Sequence, residues 1–166
     1  YNCRKFFGVV DGAYLYSDEK LQEKLERDFS YNRMEYLVGR FEKTAKEFYQ
    51  EYVSNNKRFA DEPIKMMSAL TENIMCSLDY KKIKTIRTDN FAYLHEQLKS
   101  INKLKLSIPA GAFSYPLYLE NGCEIRKNLQ VEKIYIPTLW SDVFEVCNES
   151  CLEYDYAKNI LPLPVD

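Results

Sequence analysis

Tyr1-Asn2-Cys3-Arg4-Lys5-Phe6-Phe7-Gly8-Val9-Val10-Asp11-Gly12-Ala13-Tyr14-Leu15-Tyr16 is the stretch whose reading decides the rest of this chain. Lys5 sits among apolar and aromatic neighbours, with Arg4 beside it. A protonated lysine amine is a poor nucleophile; desolvation or a nearby cation lowers its pKa and makes it useful. Phe6, Phe7 and Arg4 can supply those two effects, whereas most lysines are solvated surface residues. Residue types alone leave both readings open. Asp11-Gly12 is a turn signal, and Ala13 to Tyr16 read as a short apolar strand.

The 166 residues suffice for one domain with a real core, or one domain and an appendage. An apolar fraction of 46% and a charged fraction of 29% are those of a soluble globular chain. A net charge of -2 gives no reason to expect nucleic acid or an anionic membrane surface as partner. No apolar run approaches membrane-spanning length. The chain opens at Tyr1, without an initiator Met or a signal peptide, and the expectation is a piece of a longer protein. The five cysteines, Cys3, Cys76, Cys123, Cys147 and Cys151, are scattered apart from Cys147-x3-Cys151. That pair lacks a second pair of ligands, and His95 is the sole histidine, so no metal site is expected. Reduced, mostly buried thiols in a cytoplasmic protein are the expectation.

Beyond the opening stretch, Ser17-Asp18 is a plausible helix cap, with Leu21, Leu25 and Phe29 on one helix face. Ser30-Tyr31-Asn32-Arg33-Met34 breaks that pattern. Met34, Leu37, Val38, Phe41, Ala45, Phe48 and Tyr52 then predict a second helix. Residues 54–62 read as a polar linker, and Pro63 suits the first turn of a third helix carrying Ile64, Met67, Leu70, Ile74 and Leu78. Asp79 predicts the cap of a fourth, marked by Ile83, Ile86, Asn90, Phe91, Leu94, Leu98 and Ile101. His95 beside this face reads as a packed or surface residue rather than a catalyst. Ile108-Pro109-Ala110-Gly111 is a breaker. Phe113, Tyr115, Leu117 and Leu119 alternate as in a strand. Asn121-Gly122 precedes a helix with Ile125 and Leu129, and Ile134 and Ile136 predict another strand closed by Pro137. Trp140 suits either stacking on a sugar or nucleobase or packing inside its own domain.

The opening stretch resembles the lysine loop of the DegT/StrS-type aminotransferases, pyridoxal phosphate (PLP) enzymes of aspartate aminotransferase fold type I that commonly act on nucleotide-linked sugars. The family's lysine, short loop, acidic residue, glycine and strand match Lys5, residues 6–10, Asp11, Gly12 and residues 13–16. The break at Asn32-Arg33-Met34 resembles the family's segment whose asparagine reaches the partner subunit's active site. This chain lacks the histidine and glycine common just upstream of it. Arg87, Asn90, Phe91 and Leu94 resemble the family's long connecting helix. Tyr115-Pro116-Leu117, the arginine-bearing helix and Leu161-Pro162-Leu163-Pro164-Val165-Asp166 resemble its small domain.

The resemblance covers essentially the whole chain as a C-terminal half. It implies an α/β chain, the C-terminal portion of a PLP-transferase fold: residues 1–78 as the edge of a large PLP domain, 79–102 as a connecting helix, and 103–166 as a small, clipped α+β domain. It implies that Lys5 is both the catalytic and the cofactor-binding residue, forming a Schiff base with PLP. Asn32, Arg33 and Trp140 would contact substrate, and an amino group would pass from an amino-acid donor to a nucleotide-linked keto-sugar. Some relatives carry histidine in place of the lysine and are dehydratases; Lys5 argues against that branch. A homodimer is implied, and the aromatic residues Phe29, Tyr31, Tyr36, Phe41, Phe48, Tyr49 and Tyr52 suit such an interface. The other reading is a catalytically inactive half-chain serving as a dimerisation or scaffold module.

Overall fold

The computed structural model describes residues 1–20, 22 and 24–166. Leu21, expected on a helix face, lies outside them. The chain divides into two compact units, Tyr1–Leu78 and Asp79–Asp166. It is a mixed α/β chain, mostly helical, with one antiparallel two-stranded sheet among the described residues.

The first unit starts with a loop closed on itself. Cys3–Lys5 makes one 3-10 turn, and the Asn2 side chain caps it by accepting from the Arg4 N–H. Asn2 bridges Ala13 in antiparallel sense, and the Cys3 N–H donates to the Gly12 carbonyl at 3.0 Å. The strand expected over residues 13–16 is reduced to an isolated bridge: Tyr14 exchanges backbone hydrogen bonds with Tyr1 at 2.7 and 2.9 Å, no strand pairing is described for Leu15 and Tyr16, and all three residues 14–16 are exposed. So short a pairing is too little to hold a strand. The expected helix does not follow Ser17-Asp18 among the described residues. Described residues 24–30 are non-helical, and Arg27 bridges Met66 in parallel instead.

Tyr31–Arg33 forms a second 3-10 turn, leading into α1 (Glu35–Glu42). The single helix expected from Met34 to Tyr52 is broken at residues 43–48. There the Thr44 hydroxyl donates to Glu47, and Phe48 folds back against Gly39. α2 (Tyr49–Asp61) then runs through the stretch read as a polar linker. Its polarity reflects a mostly solvated helix that buries Asn55 rather than an apolar stripe. Pro63 begins no helix. α3 (Ala69–Cys76) starts later, where the Ser68 hydroxyl accepts from the Thr71 N–H at 3.1 Å. Cys3, Val9 and Met75 form the buried core, flanked by Phe7, Met67, Ile74 and Leu78.

In the second unit, Asp79 caps α4 (Tyr80–Leu98) by accepting from the Lys82 N–H, as its position predicts. β1 (Ser114–Tyr118) buries alternate residues Tyr115 and Leu117. α5 (Gly122–Val131), α6 (Val143–Val146) and α7 (Leu152–Asn159) follow, and α7 runs directly into β2 (Ile160–Pro164). β2 pairs antiparallel with β1, placing Tyr115 opposite Leu163 and Leu117 opposite Leu161. Both strands are edges, which lets Pro116 and Pro162 sit opposite one another without costing an interior ladder. The stretch expected as a connecting helix, residues 79–102, falls in the same unit as residues 103–166. Phe91 of α4 packs edge-on against Tyr115 at 4.9 Å, in a core with Leu117, Ile136, Leu161 and Val165. Burying each such side chain contributes about 1.5–3 kcal/mol.

The second strand expected around Ile134 and Ile136 is not formed. Lys133 adopts a left-handed conformation (φ 62°) and ends α5; its N–H donates to Gln130 and that of Ile134 to Leu129 at 2.8 Å. That paired closure terminates the helix, and Ile136 reaches the core from irregular chain.

Gly122 opens α5 against the end of α7, where a Cβ would lie 2.0 Å from the Asn159 carbonyl oxygen. Backbone cannot yield as a side-chain tip can. Gly122→Ala is expected to destabilise the second unit by about 1–3 kcal/mol or more, read as a lowered midpoint in thermal or urea denaturation.

Candidate functional site

In the first unit a buried polar cluster joins the opening loop to the segment around Arg33. The Arg33 guanidinium donates to the Asp28 carboxylate at 2.5 Å and to the Phe29 carbonyl at 2.8 Å, and lies 3.5 Å from Asp11 Oδ2. Asp11 also accepts from the Ser68 N–H at 3.2 Å, and the Ser68 and Ser30 hydroxyls pair at 2.6 Å. Asn55 of α2 donates to the Val10 carbonyl at 3.0 Å. All of these side chains are buried. Gly12 follows Asp11 at φ 93°, and a Cβ there would meet Thr71 at 3.1 Å and Met67 at 3.3 Å, so both conformation and space require glycine.

Burial by itself pushes the Asp28 carboxyl up. The hydrogen bonds from Arg33 and from the Phe29 N–H, with the charge of Arg33, outweigh burial and hold it below the ordinary carboxylate range. Unpaired, either acid would cost several kcal/mol in such a site.

An open cleft of about 770 Å³ lies beside this cluster, lined by Asn32, Arg33 and Glu35 and by the Gln50–Glu62 face of α2, including Lys57, Arg58 and Asp61. Two of the residues singled out in sequence, Asn32 and Arg33, therefore share one cleft. Asn32 is exposed there. Arg33, expected to meet substrate, has its guanidinium engaged by Asp28, Asp11 and Phe29, which makes it a latch.

Lys5 ends the first 3-10 turn and is exposed; it is not among the described residues lining the cleft. The neighbours expected to desolvate it point elsewhere. Arg4 donates to Asn56 and stacks over Phe59 at 4.3 Å, while Phe7 packs on the core. What the fold supplies at Lys5 is a rigid turn rather than an apolar pocket. Trp140, in the second unit, is 70% exposed and held at φ 54°, with its carbonyl accepting from the Val143 N–H at 3.0 Å. It is displayed rather than packed. Of the seven aromatics expected at an interface, Phe29, Tyr31, Phe41, Tyr49 and Tyr52 are exposed, Phe48 is half-buried, and Tyr36 is buried against Tyr52.

Asp28, Asn55 and the Ser30–Ser68 pair went unremarked in sequence. Their one local signal is Ser68 preceding the apolar start of α3 as a cap. No family model, curated protein or solved structure matches this chain.

Arg33→Met would leave Asp11 and Asp28 buried without their cation, and a loss of about 3–5 kcal/mol is expected in urea denaturation of the first unit. Because the Asp28 pKa is depressed by folding, its contribution is complete above the unfolded value of about 3.9 and disappears as pH falls through the lower folded value. Asp28→Asn is expected to lower stability at neutral pH and to flatten the acid limb of a circular-dichroism titration.

Proposed function

We propose that this chain is the C-terminal portion of a PLP-dependent sugar aminotransferase of the DegT/StrS type, with Lys5 as the cofactor-bearing lysine. One observation carries the reading: Arg33 lies 3.5 Å from Asp11. Two separate matches to the family, Asp11-Gly12 of the lysine loop and Asn32-Arg33, are thus tied into one buried cluster beside a cleft. The second unit contributes a long helix, a strand and an arginine-bearing helix in the order of the resemblance, while the strand expected next, at Ile134 and Ile136, is not formed.

Lys5 fits its part. It is exposed on a turn whose N-terminal side is held by Asn2 and by the Cys3–Gly12 hydrogen bond, and the apolar surroundings that would desolvate its amine would have to come with the cofactor or from outside this loop. PLP, when bound, supplies an electron sink for a carbon next to nitrogen. The Lys5 Nζ anchors the cofactor and then carries a proton to and from the donor carbon. Asn32 offers its amide to a substrate in the cleft, Asp11 and Arg33 hold the loop and that segment in register, and Trp140 offers a face for stacking a sugar or nucleobase. The substrates on this reading are a nucleotide-linked keto-sugar and an amino-acid donor, in a cytoplasmic homodimer whose contact uses the exposed aromatics of the first unit. Among the described residues no helix is long and apolar enough to cross a membrane.

The test is PLP binding by the intact protein, with borohydride reduction and peptide mapping. The pyridoxyl group is expected on Lys5, and Lys5→Ala is expected to abolish both the visible absorbance band and the label while leaving the circular-dichroism spectrum unchanged. Labelling of a different lysine, or none, in a folded full-length sample would sink the enzyme reading and leave the scaffold module.

A further inference from the structure

Cys147 and Cys151 stand apart from everything assigned above. Cys147 is the C-cap of α6 and Cys151 the N-cap of α7; both have extended backbone, with ψ 148° and 154°. The chain between them is a tight turn closed by the Cys151 N–H donating to the Asn148 carbonyl at 3.0 Å. Phe144 of α6 packs edge-on against Tyr154 of α7 at 5.0 Å, so the two helices are held together around the turn. Both thiols are free and half-buried, four residues apart across that turn. Acidic residues surround them: Asp142 and Glu153 act on the Cys147 thiol, and Glu145 and Glu149 lie in the same short segment.

We propose that Cys147 and Cys151 form a redox-active dithiol that closes to an intrachain disulfide by exchange with small disulfides, cationic ones in preference to anionic ones. Burial, the neighbouring Cys151 and the nearby acids push the Cys147 thiol up. Cys151, the N-cap of α7, is the sulfur that attacks first. Its thiolate displaces one thiolate from the small disulfide and forms a mixed disulfide. Cys147 then loses its proton to solvent and attacks the Cys151 sulfur, expelling the second small thiolate. The protein gives up two electrons and two protons, and the small disulfide is reduced to two thiols. The acidic setting repels an anionic reagent such as glutathione disulfide and attracts a cation such as cystamine. Closure joins α6 covalently to α7, which runs directly into β2, and so constrains the turn that carries Trp140.

The experiment treats the full chain with cystamine or glutathione disulfide and maps tryptic peptides by mass. Residues 134–158 contain no internal lysine or arginine before Lys158, so the bridge lies within one peptide, lighter by two hydrogens and restored by reductant. Cystamine is expected to close it about tenfold faster than glutathione disulfide at low ionic strength, with the gap narrowing in high salt. Cys147→Ser is expected to stop at a mixed disulfide on Cys151, and Cys151→Ser to react more slowly. Serine suits a helix N-cap, so the latter variant is expected to remain folded, as circular dichroism would verify. Stable mixed disulfides on both cysteines of the unaltered chain, bridges to Cys76 or Cys123 instead, or no reaction with cystamine would overturn the proposal.

Discussion

A guanidinium buried between two carboxylates sets the shape of the first unit. Arg33 faces Asp28 and Asp11, and Asp11 in turn holds the Ser68 N–H at the start of α3. The opening loop, the turn at 31–33 and α3 are therefore positioned by one charged network. The apolar core beside it is small, with Cys3, Val9 and Met75 at its centre. In such a unit, polar satisfaction governs geometry more than apolar area does, because one unpaired buried charge costs more than a methyl-sized void.

The second unit is built on the opposite logic. Its core is apolar and continuous, with Phe91, Tyr115, Leu117 and Leu161 meeting where α4 covers the sheet. Polar side chains serve at its margins. Asn102 donates to the Pro116 carbonyl and accepts from the Tyr118 N–H, and Arg126 donates to the Lys158 and Ile160 carbonyls. The Tyr118 hydroxyl donates to Asp155, and that bond, with burial and the acid's charge, pushes the phenol up to about 12. These contacts close the backbone that a two-stranded sheet leaves open.

The two designs bear on function differently. A charged latch beside an open cleft holds Asn32 at a fixed place while leaving it in solvent, which suits recognition of a polar ligand. Lys5 sits on the same closed loop as Asp11, which lies 3.5 Å from Arg33. The exposed aromatics of this unit, Phe41 at 93% foremost, exceed what a solvated surface needs and suit burial by another protein surface.

By itself the sequence determined the elements whose signals are local. The Asp79 cap and α4, the breaker ending at Gly111, the alternation of Tyr115 and Leu117, and the Asn121-Gly122 start of α5 follow from capping, backbone freedom and period. Only the tertiary structure decided the rest. Residues 13–16 do not extend into a strand because their pairing is confined to Ala13 and Tyr14, and α2 runs through a polar stretch in which Asn55 finds Val10 forty-five residues away. Leu161-Pro162-Leu163-Pro164 becomes a strand through pairing with β1. Of the candidate site, Lys5, Asn32, Arg33 and Trp140 were named from residue types and resemblance. That Arg33 is a latch and Lys5 a displayed amine depends on Asp28, Asp11, Asn56 and Phe59. Contacts between residues far apart in the chain leave no periodic trace in sequence, and the burial that gives a charge its partner exists only once the chain has folded.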